Sequence, residues 1–285
     1  MRSFARSLRA RNRSPKTITS YLEAVRLLSE YADGRNLISL RRSDIEAFLA
    51  DQLARHRPTT AAVRFRSLQQ LYRWAMEEEL IEVSPMAGLR PPKVPDEPVA
   101  VLEQAALSRL LASMNSRSFD DRRDTAIVRL FLDTGMRSSE LAGLSVTDID
   151  LDQDVAVVLG KGRRPRACPF GDKTGQALER YLRERSKHRL ARNRALWLGA
   201  RGVMTDNGIR QMLRRRGKQA GVAHLHPHMF RHTFAHRWLS EGGQEQDLMR
   251  LAGWQSREML GRYGASAADQ RAREAHRRMS LGDQF

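Results

Sequence analysis

The chain has 285 residues, of which 41% are hydrophobic and 29% charged, and this composition excludes a fibrous or an intrinsically disordered protein. Its 50 Lys and Arg residues outnumber its 33 Asp and Glu residues, giving a net charge of +17 that favours a polyanionic partner. Most of the basic residues are arginines, a bias that the base composition of a genome can also produce on a solvated surface. No apolar run approaches the roughly 18 residues of a membrane-spanning helix, so we expect a cytoplasmic protein without a membrane partner.

The first 90 residues show helical periodicity and predict a small helical bundle. Apolar residues recur at three- and four-residue spacing in the segments 15–32, 43–56 and 58–80. Ser43 followed by Glu46 matches a capping-box pattern and predicts the start of the second of these helices. The length of the chain leaves room for a second domain after this bundle.

A proline-rich segment separates the bundle from the rest of the chain. Four prolines between positions 91 and 98 disfavour both a helix and a central strand. The sequence therefore predicts a helical domain at 1–90, a linker at 91–101 and a second domain at 102–285. Because two basic domains on a stiff linker can enclose a rod, we expect the two domains to clamp a DNA duplex. The Arg-rich segment 1–16 suits a DNA-facing position better than a transit peptide.

The second domain is predicted to be mostly helical with one small β insert. Between about Thr147 and Phe170 the sequence alternates and carries a Gly-Lys-Gly turn between two β-prone runs, which predicts a hairpin or small antiparallel sheet. Cys168 lies in the second of these runs, where a small buried residue is expected rather than a nucleophile. Helical patterns cover 102–114, 121–135, 172–190, 206–221, 227–243 and 245–254.

The segment 226–236, HPHMFRHTFAH, contains four of the eight histidines. His228, His232 and His236 follow one another at four-residue steps and would share a helix face, as zinc ligands can. No acidic or Cys ligand lies nearby, and Arg231 would place a fixed positive charge beside the cation. We therefore expect no metal and no other cofactor.

A competing interpretation pairs His228 with Arg231, three residues apart, as two groups directed at one phosphate. Arg137 follows a glycine that ends a helix, and Glu140, one turn later, can orient its guanidinium. Taken singly, Arg137 could be a helix cap, Lys161 a turn residue and Tyr263 a half-buried core residue. Together these residues form the set that metal-free phosphoryl transfer requires.

These positions resemble the tyrosine recombinase (phage integrase) family in order and spacing. The family pattern has Arg, an acid three residues later, a hairpin Lys, His-x-x-Arg, a His or Trp, and a Tyr nine residues beyond it. The matching residues are Arg137, Glu140, Lys161, His228, Arg231, Trp254 and Tyr263. Trp254 replaces the more common His and cannot transfer a proton, although its indole N–H can donate to a phosphate oxygen.

The resemblance implies a mainly α fold: an N-terminal SAM-like core-binding bundle and a catalytic domain with a small antiparallel sheet, forming a C-shaped clamp around DNA. It implies a site-specific recombinase or integrase that cleaves and rejoins double-stranded DNA recombination sites through a 3′-phosphotyrosine intermediate and a Holliday junction. A homotetramer on DNA, or a heterotetramer with a paralogue, is the implied assembly. Xer-type resolution of chromosome or plasmid dimers, a type IB topoisomerase and a plain DNA-binding protein remain alternatives.

The tail after the nucleophile, residues 264–285, contains a good helix former with few apolar positions. A frayed terminus is one possibility for this segment. The resemblance implies the other, in which the tail docks on a neighbouring protomer of the DNA-bound tetramer.

Overall fold

The computed structural model shows a mostly helical chain that divides into two compact units, Met1–Glu97 and Pro98–Phe285. Among the residues described, no helix is long and apolar enough to cross a membrane. The structure describes residues 1–95, 100–160, 165–254, 256–260, 272–273 and 276–280.

The described residues 1–95 of the N-terminal unit form four α-helices. Its core contains buried aromatic residues from three of them, Phe4, Phe48 and Phe65, and Tyr72 donates its hydroxyl to the Leu37 carbonyl at 3.0 Å. The helices are α1 (Arg2–Ala10), α2 (Pro15–Tyr31), α3 (Arg42–Arg55) and α4 (Pro58–Glu77). Helices α2 and α4 each begin with a proline, whose missing N–H is not needed in the first turn. The predicted bundle is confirmed, and α1 is an addition to it.

The predicted start of α3 is wrong. Arg41 is the N-terminal cap, and the Asp44 carboxylate accepts the backbone N–H of Arg41 at 2.8 Å. Glu46 instead accepts from the Arg42 side chain at 2.9 Å, one turn along the helix. Ser43 lies inside the first turn because the helix begins one residue before it. The acidic residue that accepts the N-cap backbone N–H is therefore Asp44, two residues before the predicted Glu46.

The second unit contains seven α-helices among its described residues from 100 to 254, and most of them surround one apolar core. Trp197, Tyr181 and Phe131 are among its largest fully buried side chains. The helices are α5 (Gln104–Ala112), α6 (Phe119–Thr134), α7 (Ser138–Ala142), α8 (Asp172–Arg185), α9 (Asp206–Gln219), α10 (Pro227–Ser240) and α11 (Glu245–Ala252). A second apolar cluster joins α10 to α11 and includes Phe234 and Trp254.

The predicted small sheet is present and has three antiparallel strands in the order β1-β2-β3. They are β1 (Ile149–Asp150), β2 (Val155–Leu159) and β3 (Pro165–Pro169), and a two-stranded pair, β4 (Leu198–Gly199) and β5 (Gly202–Val203), lies outside the predicted region. Ala156 pairs with Cys168 in the β2–β3 register, and both are buried against the core. Burial raises the pKa of the Cys168 thiol, as expected of a structural rather than a nucleophilic cysteine.

Candidate active site

The end of α6 packs closely against α10. Gly135 ends α6 in the left-handed conformation, with φ of +53°. A Cβ at this position would lie 2.4 Å from Cδ1 of Phe234 on α10, so only glycine allows the two elements to approach this closely. The Gly135 carbonyl then accepts a hydrogen bond from Arg231 Nη1 at 2.7 Å.

Glu140 accepts two hydrogen bonds from Arg137 at the first turn of α7. The Glu140 carboxylate accepts the backbone N–H of Arg137 at Oε2, 2.8 Å away, and Nη1 of the same residue at Oε1, 2.9 Å away. The side chain of Arg137 is 40% exposed, whereas that of Glu140 is 7% exposed. Glu140 is thus the buried anchor, and the Arg137 guanidinium has access to a ligand in solvent.

Arg166 on β3 binds the same carboxylate. Its Nη1 and Nη2 donate to Oε1 and Oε2 of Glu140 at 3.0 and 2.7 Å. Burial by itself raises the pKa of Glu140, but the hydrogen bonds and charges of Arg166 and Arg137 outweigh it and lower this pKa to about 2. Glu140 therefore stays ionised throughout the physiological range.

Arg231 is almost fully enclosed, with 2% of its surface exposed. Besides its bond to Gly135, Nη2 donates to the Ala252 carbonyl at 2.7 Å. Its guanidinium also lies over the indole of Trp254, with Cζ 5.2 Å from the ring centroid, a cation–π contact. These contacts from α6, α11 and the residue after α11's cap fix the orientation of the guanidinium.

The C-terminal end of α11 connects the three arginines. Consecutive carbonyls there accept from different guanidiniums: Leu251 from Arg166 Nε at 3.0 Å, Ala252 from Arg231 at 2.7 Å, and Gly253 from Arg137 Nη2 at a weaker 3.5 Å. Such carbonyls lack intrahelical partners and carry the negative end of the helix dipole. The helix end therefore stabilises three guanidinium groups that would otherwise repel one another. The Glu140 carboxylate binds two members of this group, so it balances one of the three positive charges. The surplus of positive charge suits an anionic ligand such as a phosphate.

His228 lies in the first turn of α10 and is exposed. Its pKa is lowered, first by partial desolvation and then by the charges of His226, Arg210, Arg231 and Arg137, so the neutral imidazole predominates at pH 7. The effect of Arg231 and Arg137 on this pKa places His228 in the same electrostatic environment as the arginine pair.

The other two histidines of the segment have different surroundings. His232 is buried and His236 is half-buried, whereas His228 is exposed. Within the described part of the chain, no three His, Cys, Asp or Glu side chains are grouped closely enough to hold a metal ion. Helical spacing alone therefore does not produce a shared ligand set here.

Two of the candidate residues cannot be compared with the structure. Lys161 and Tyr263 lie outside the described residues, as does most of the predicted tail; of the tail, 272–273 and 276–279 are helical. The structure thus brings together Arg137, Glu140 and Arg231 with Trp254.

Sequence reasoning missed Arg166. It is one of several arginines that follow the Gly-Lys-Gly turn, and nothing in their order distinguishes it. One signal was available: Arg166 and Cys168 are two residues apart in a predicted strand, so they share a face, and Cys168 was expected to be buried. Burial of an unpaired arginine is costly, so an arginine on the buried face of a strand predicts an acidic partner.

The sequence matches known families over both units. Residues 100–270 match the phage integrase family, and residues 1–82 match the phage integrase N-terminal SAM-like domain. A tyrosine recombinase XerC from Bacillus pumilus is 31% identical over 255 residues, which cover 85% of this chain and 83% of the relative.

Solved structures share the fold at lower identity. The Tn1549 transposon integrase in complex with transposon right end DNA superposes with a TM-score of 0.79 at 22% identity, covering 97% of this chain and 98% of that one. A lambda integrase tetramer bound to a Holliday junction superposes with a TM-score of 0.71 at 17% identity, covering 89% of this chain and 76% of that one.

Proposed function

The chain belongs to the phage integrase family and is a tyrosine-type site-specific recombinase, and on this premise we propose how its residues cleave and rejoin DNA. The substrate is a double-stranded DNA recombination site in the cytoplasm. Residues 1–90 and 102–285 act as the core-binding and catalytic domains, joined by a linker at 91–101. The observation that carries the site assignment is that Arg137 and Arg231 both donate to carbonyls at the C-terminal end of α11, while Glu140 binds Arg137.

Tyr263 is the nucleophile of this proposal. A phenol with an ordinary pKa near ~10 is a poor nucleophile at pH 7, so a base must take its proton as the oxygen attacks phosphorus. His228 accepts that proton, and its lowered pKa supports the role because the imidazole is neutral and able to accept. The bond between phosphorus and the deoxyribose 5′ oxygen breaks as the phosphotyrosine bond forms.

The leaving 5′ oxygen requires a proton, which Lys161 donates as general acid. Neighbouring cations favour the neutral form of the lysine and so make this donation easier. Trp254 cannot act as an acid; it donates its indole N–H to a non-bridging oxygen instead. A 5′ hydroxyl from a partner strand then attacks the 3′-phosphotyrosine and releases Tyr263. Each phosphodiester bond that is cleaved is replaced by a phosphotyrosine bond and then by a new phosphodiester bond. Rejoining through a Holliday junction therefore needs no ATP.

Arg137 and Arg231 stabilise the transition state. Attack concentrates negative charge on the non-bridging oxygens, and planar guanidiniums bind that charge more strongly as it develops. Fixed orientation matters because preorganised donors need no rearrangement during the reaction. The carbonyl contacts of Arg231 and the Glu140 contacts of Arg137 supply that orientation.

Covalent trapping tests the proposal. Denaturing the wild-type chain after incubation with sheared genomic DNA of the source organism should leave a 3′-linked protein–DNA adduct, and sequencing that DNA identifies the site. Tyr263→Phe should bind this site with nearly unchanged affinity and give no adduct. Tyr72→Phe, in the N-terminal core, is the matched control and should retain the adduct. Adduct formation by Tyr263→Phe would contradict the mechanism. Loss of the wild-type adduct on addition of EDTA would contradict it as well.

We also propose a tetramer on DNA, formed by the chain itself or with a paralogue, in which the tail 264–285 docks on the neighbouring protomer. The lambda integrase tetramer bound to a Holliday junction supports this through the shared fold. A cyclic exchange of tails would form a closed ring of head-to-tail interfaces. Truncation after Ala267 should leave binding of one protomer intact and weaken cooperative binding in a gel-shift titration of a two-site DNA. Unchanged cooperativity would rule out the exchanged tail.

The similarity to a XerC recombinase favours one biological role as a second candidate, the resolution of chromosome or plasmid dimers rather than mobile-element integration. A plasmid with two direct copies of the trapped site distinguishes recombination from relaxation. Excision of the intervening segment supports a recombinase, whereas loss of supercoils without excision would support a type IB topoisomerase. A trapped site at the boundary of a mobile element would favour integration over dimer resolution.

A further inference from the structure

Arg166 connects three elements that carry residues of the proposed catalytic set. It lies on β3, donates two hydrogen bonds to Glu140 on α7 and one to the Leu251 carbonyl at the end of α11. Its side chain is 13% exposed, and it shares the Glu140 carboxylate with Arg137. The partners are 26 and 85 residues away in sequence, so Arg166 fixes contacts that no local pattern specifies.

The Glu140 carboxylate receives four donors in two pairs. Each oxygen accepts one bond from Arg137 and one from Arg166, at distances between 2.7 and 3.0 Å. A buried carboxylate held by a planar fork on one side has little freedom to rotate. Because Glu140 is in turn hydrogen-bonded to both the backbone and the guanidinium of Arg137, its position sets that of Arg137.

Close packing at Gly253 holds Arg166 in place. Gly253 adopts a left-handed conformation with φ of +63°, and a Cβ there would lie 3.1 Å from Nη1 of Arg166. Gly253 lies between Trp254 and Ala252, and the Ala252 carbonyl accepts a hydrogen bond from Arg231. A shift of Arg166 would therefore be transmitted to Arg137 through Glu140 and to Trp254 and Arg231 through the end of α11.

We propose that Arg166 is a positioning residue for DNA cleavage, acting through Glu140 and the Leu251 carbonyl to hold Arg137 against the scissile phosphate. The inference rests on the proposed function, since it assigns Arg166 to the same site. Arg166 itself does not contact the DNA in this arrangement. Its removal should slow the chemical step and leave DNA binding nearly unchanged, because a misplacement of about 1 Å can cost on the order of 10²-fold in rate.

The test measures single-turnover adduct formation at saturating DNA, using a nicked duplex that carries the site trapped by the wild type. Arg166→Met should reduce the rate about 10²-fold, with Kd in a gel shift within about threefold of wild type. Arg166→Lys keeps the charge but not the fork, so it should restore part of the rate. The double variant Glu140→Gln with Arg166→Met should be about as slow as the slower single variant, because both act through one contact.

Arg216→Met is the matched control for loss of a buried ion pair. Arg216 lies on α9, and its side chain is 8% exposed. It pairs with Asp124 at 2.8 Å and with Asp121 at 2.6 Å, both on α6, and neither pair involves Glu140. It should lower thermal stability while its folded fraction cleaves at the wild-type rate.

Wild-type cleavage by Arg166→Lys, a loss by Arg166→Met no larger than that of the control, or multiplicative losses in the double variant would each overturn the positioning role. If Arg166→Met does not fold, Arg166→Lys and Glu140→Gln decide the question with the same assay. Absence of an adduct with the wild-type chain would instead refute the proposed function.

Discussion

Arg231 places its guanidinium over the indole of Trp254, with 5.2 Å between Cζ and the ring centroid. Arg231 lies on α10 and Trp254 follows α11, and both side chains are buried near the C-terminal end of α11. Trp254 belongs to the apolar cluster that joins α10 to α11. Trp254 therefore combines two roles in our proposal: its ring supports Arg231, and its N–H donates to the phosphate.

Substitution of Trp254 separates these roles. Trp254→Phe keeps an aromatic ring beneath Arg231 but lacks the indole N–H, so stability should change little while cleavage falls about 10-fold or more, the scale of a lost hydrogen bond to a charged group. Trp254→Ala should lose both activity and about 3–5 kcal/mol of stability. Thermal unfolding and the adduct time course measure the two effects. Wild-type cleavage by Trp254→Phe would exclude a role for the N–H.

Arg231→Lys tests whether guanidinium geometry matters as well as charge. An ammonium cannot bond the Gly135 and Ala252 carbonyls and a phosphate with the same planar arrangement. Adduct formation should fall by about 10²–10³, the scale for removal of one preorganised oxyanion donor. Near-normal cleavage by the lysine variant would mean that Arg231 is structural.

The neutral state of His228 predicts a pH profile. Desolvation and nearby cations lower the pKa of His228 below the ordinary value of 6.5, so half of the base is protonated only at a pH below 6.5. The cleavage rate should therefore fall on the acid side along a limb whose midpoint lies below pH 6.5. In His228→Asn the residual rate should lack this acid limb. An acid limb with its midpoint above pH 6.5 would contradict the assignment.

Glu140 predicts a loss of stability in acid. Its pKa of about 2 in the folded chain lies below the ordinary value of 4.5, so its contribution is complete above pH 4.5 and is lost as pH falls from 4.5 towards 2. The difference corresponds to on the order of 3 kcal/mol. Chemical denaturation of the wild type and of Glu140→Gln between pH 6 and 3 measures the part of this loss that falls between pH 4.5 and 3. Parallel stability profiles for the two chains would show that Glu140 contributes nothing to acid sensitivity.

Gly253→Ala tests the close packing at the end of α11. Alanine is strained at φ of +63°, and its Cβ would press on Arg166 3.1 Å away. Gly242→Ala is the matched control, since Gly242 has φ of +83° and nothing within 4 Å of the added Cβ. Both variants should lose about 1–2 kcal/mol from backbone strain, and only Gly253→Ala should also slow cleavage. Equal cleavage rates would show that Arg166 tolerates the displacement.

The sequence by itself determined helices α2, α3 and α4 of the bundle and the contacts that depend on local spacing. Glu140 reaches Arg137 because three residues separate them on one helical turn, and Gly135 ends α6 because glycine adopts the left-handed conformation without strain. The alternation that predicted β2 and β3 also depends only on near neighbours. Patterns of this range could be recognised without knowledge of the fold.

Tertiary structure decided the rest. Helix α1 is short and rich in arginine, so it gains stability mainly from burial of Phe4 and Leu8 rather than from its own propensity. The start of α3 depended on which of two nearby acid residues could reach a backbone N–H, and Asp44 bonds Arg41. Arg166 meets Glu140, 26 residues away in sequence, and the Leu251 carbonyl, 85 residues away, because α7 and β3 contribute to one apolar core and α11 packs against β3. Such long-range contacts follow from packing of whole elements, which no spacing between neighbouring residues encodes.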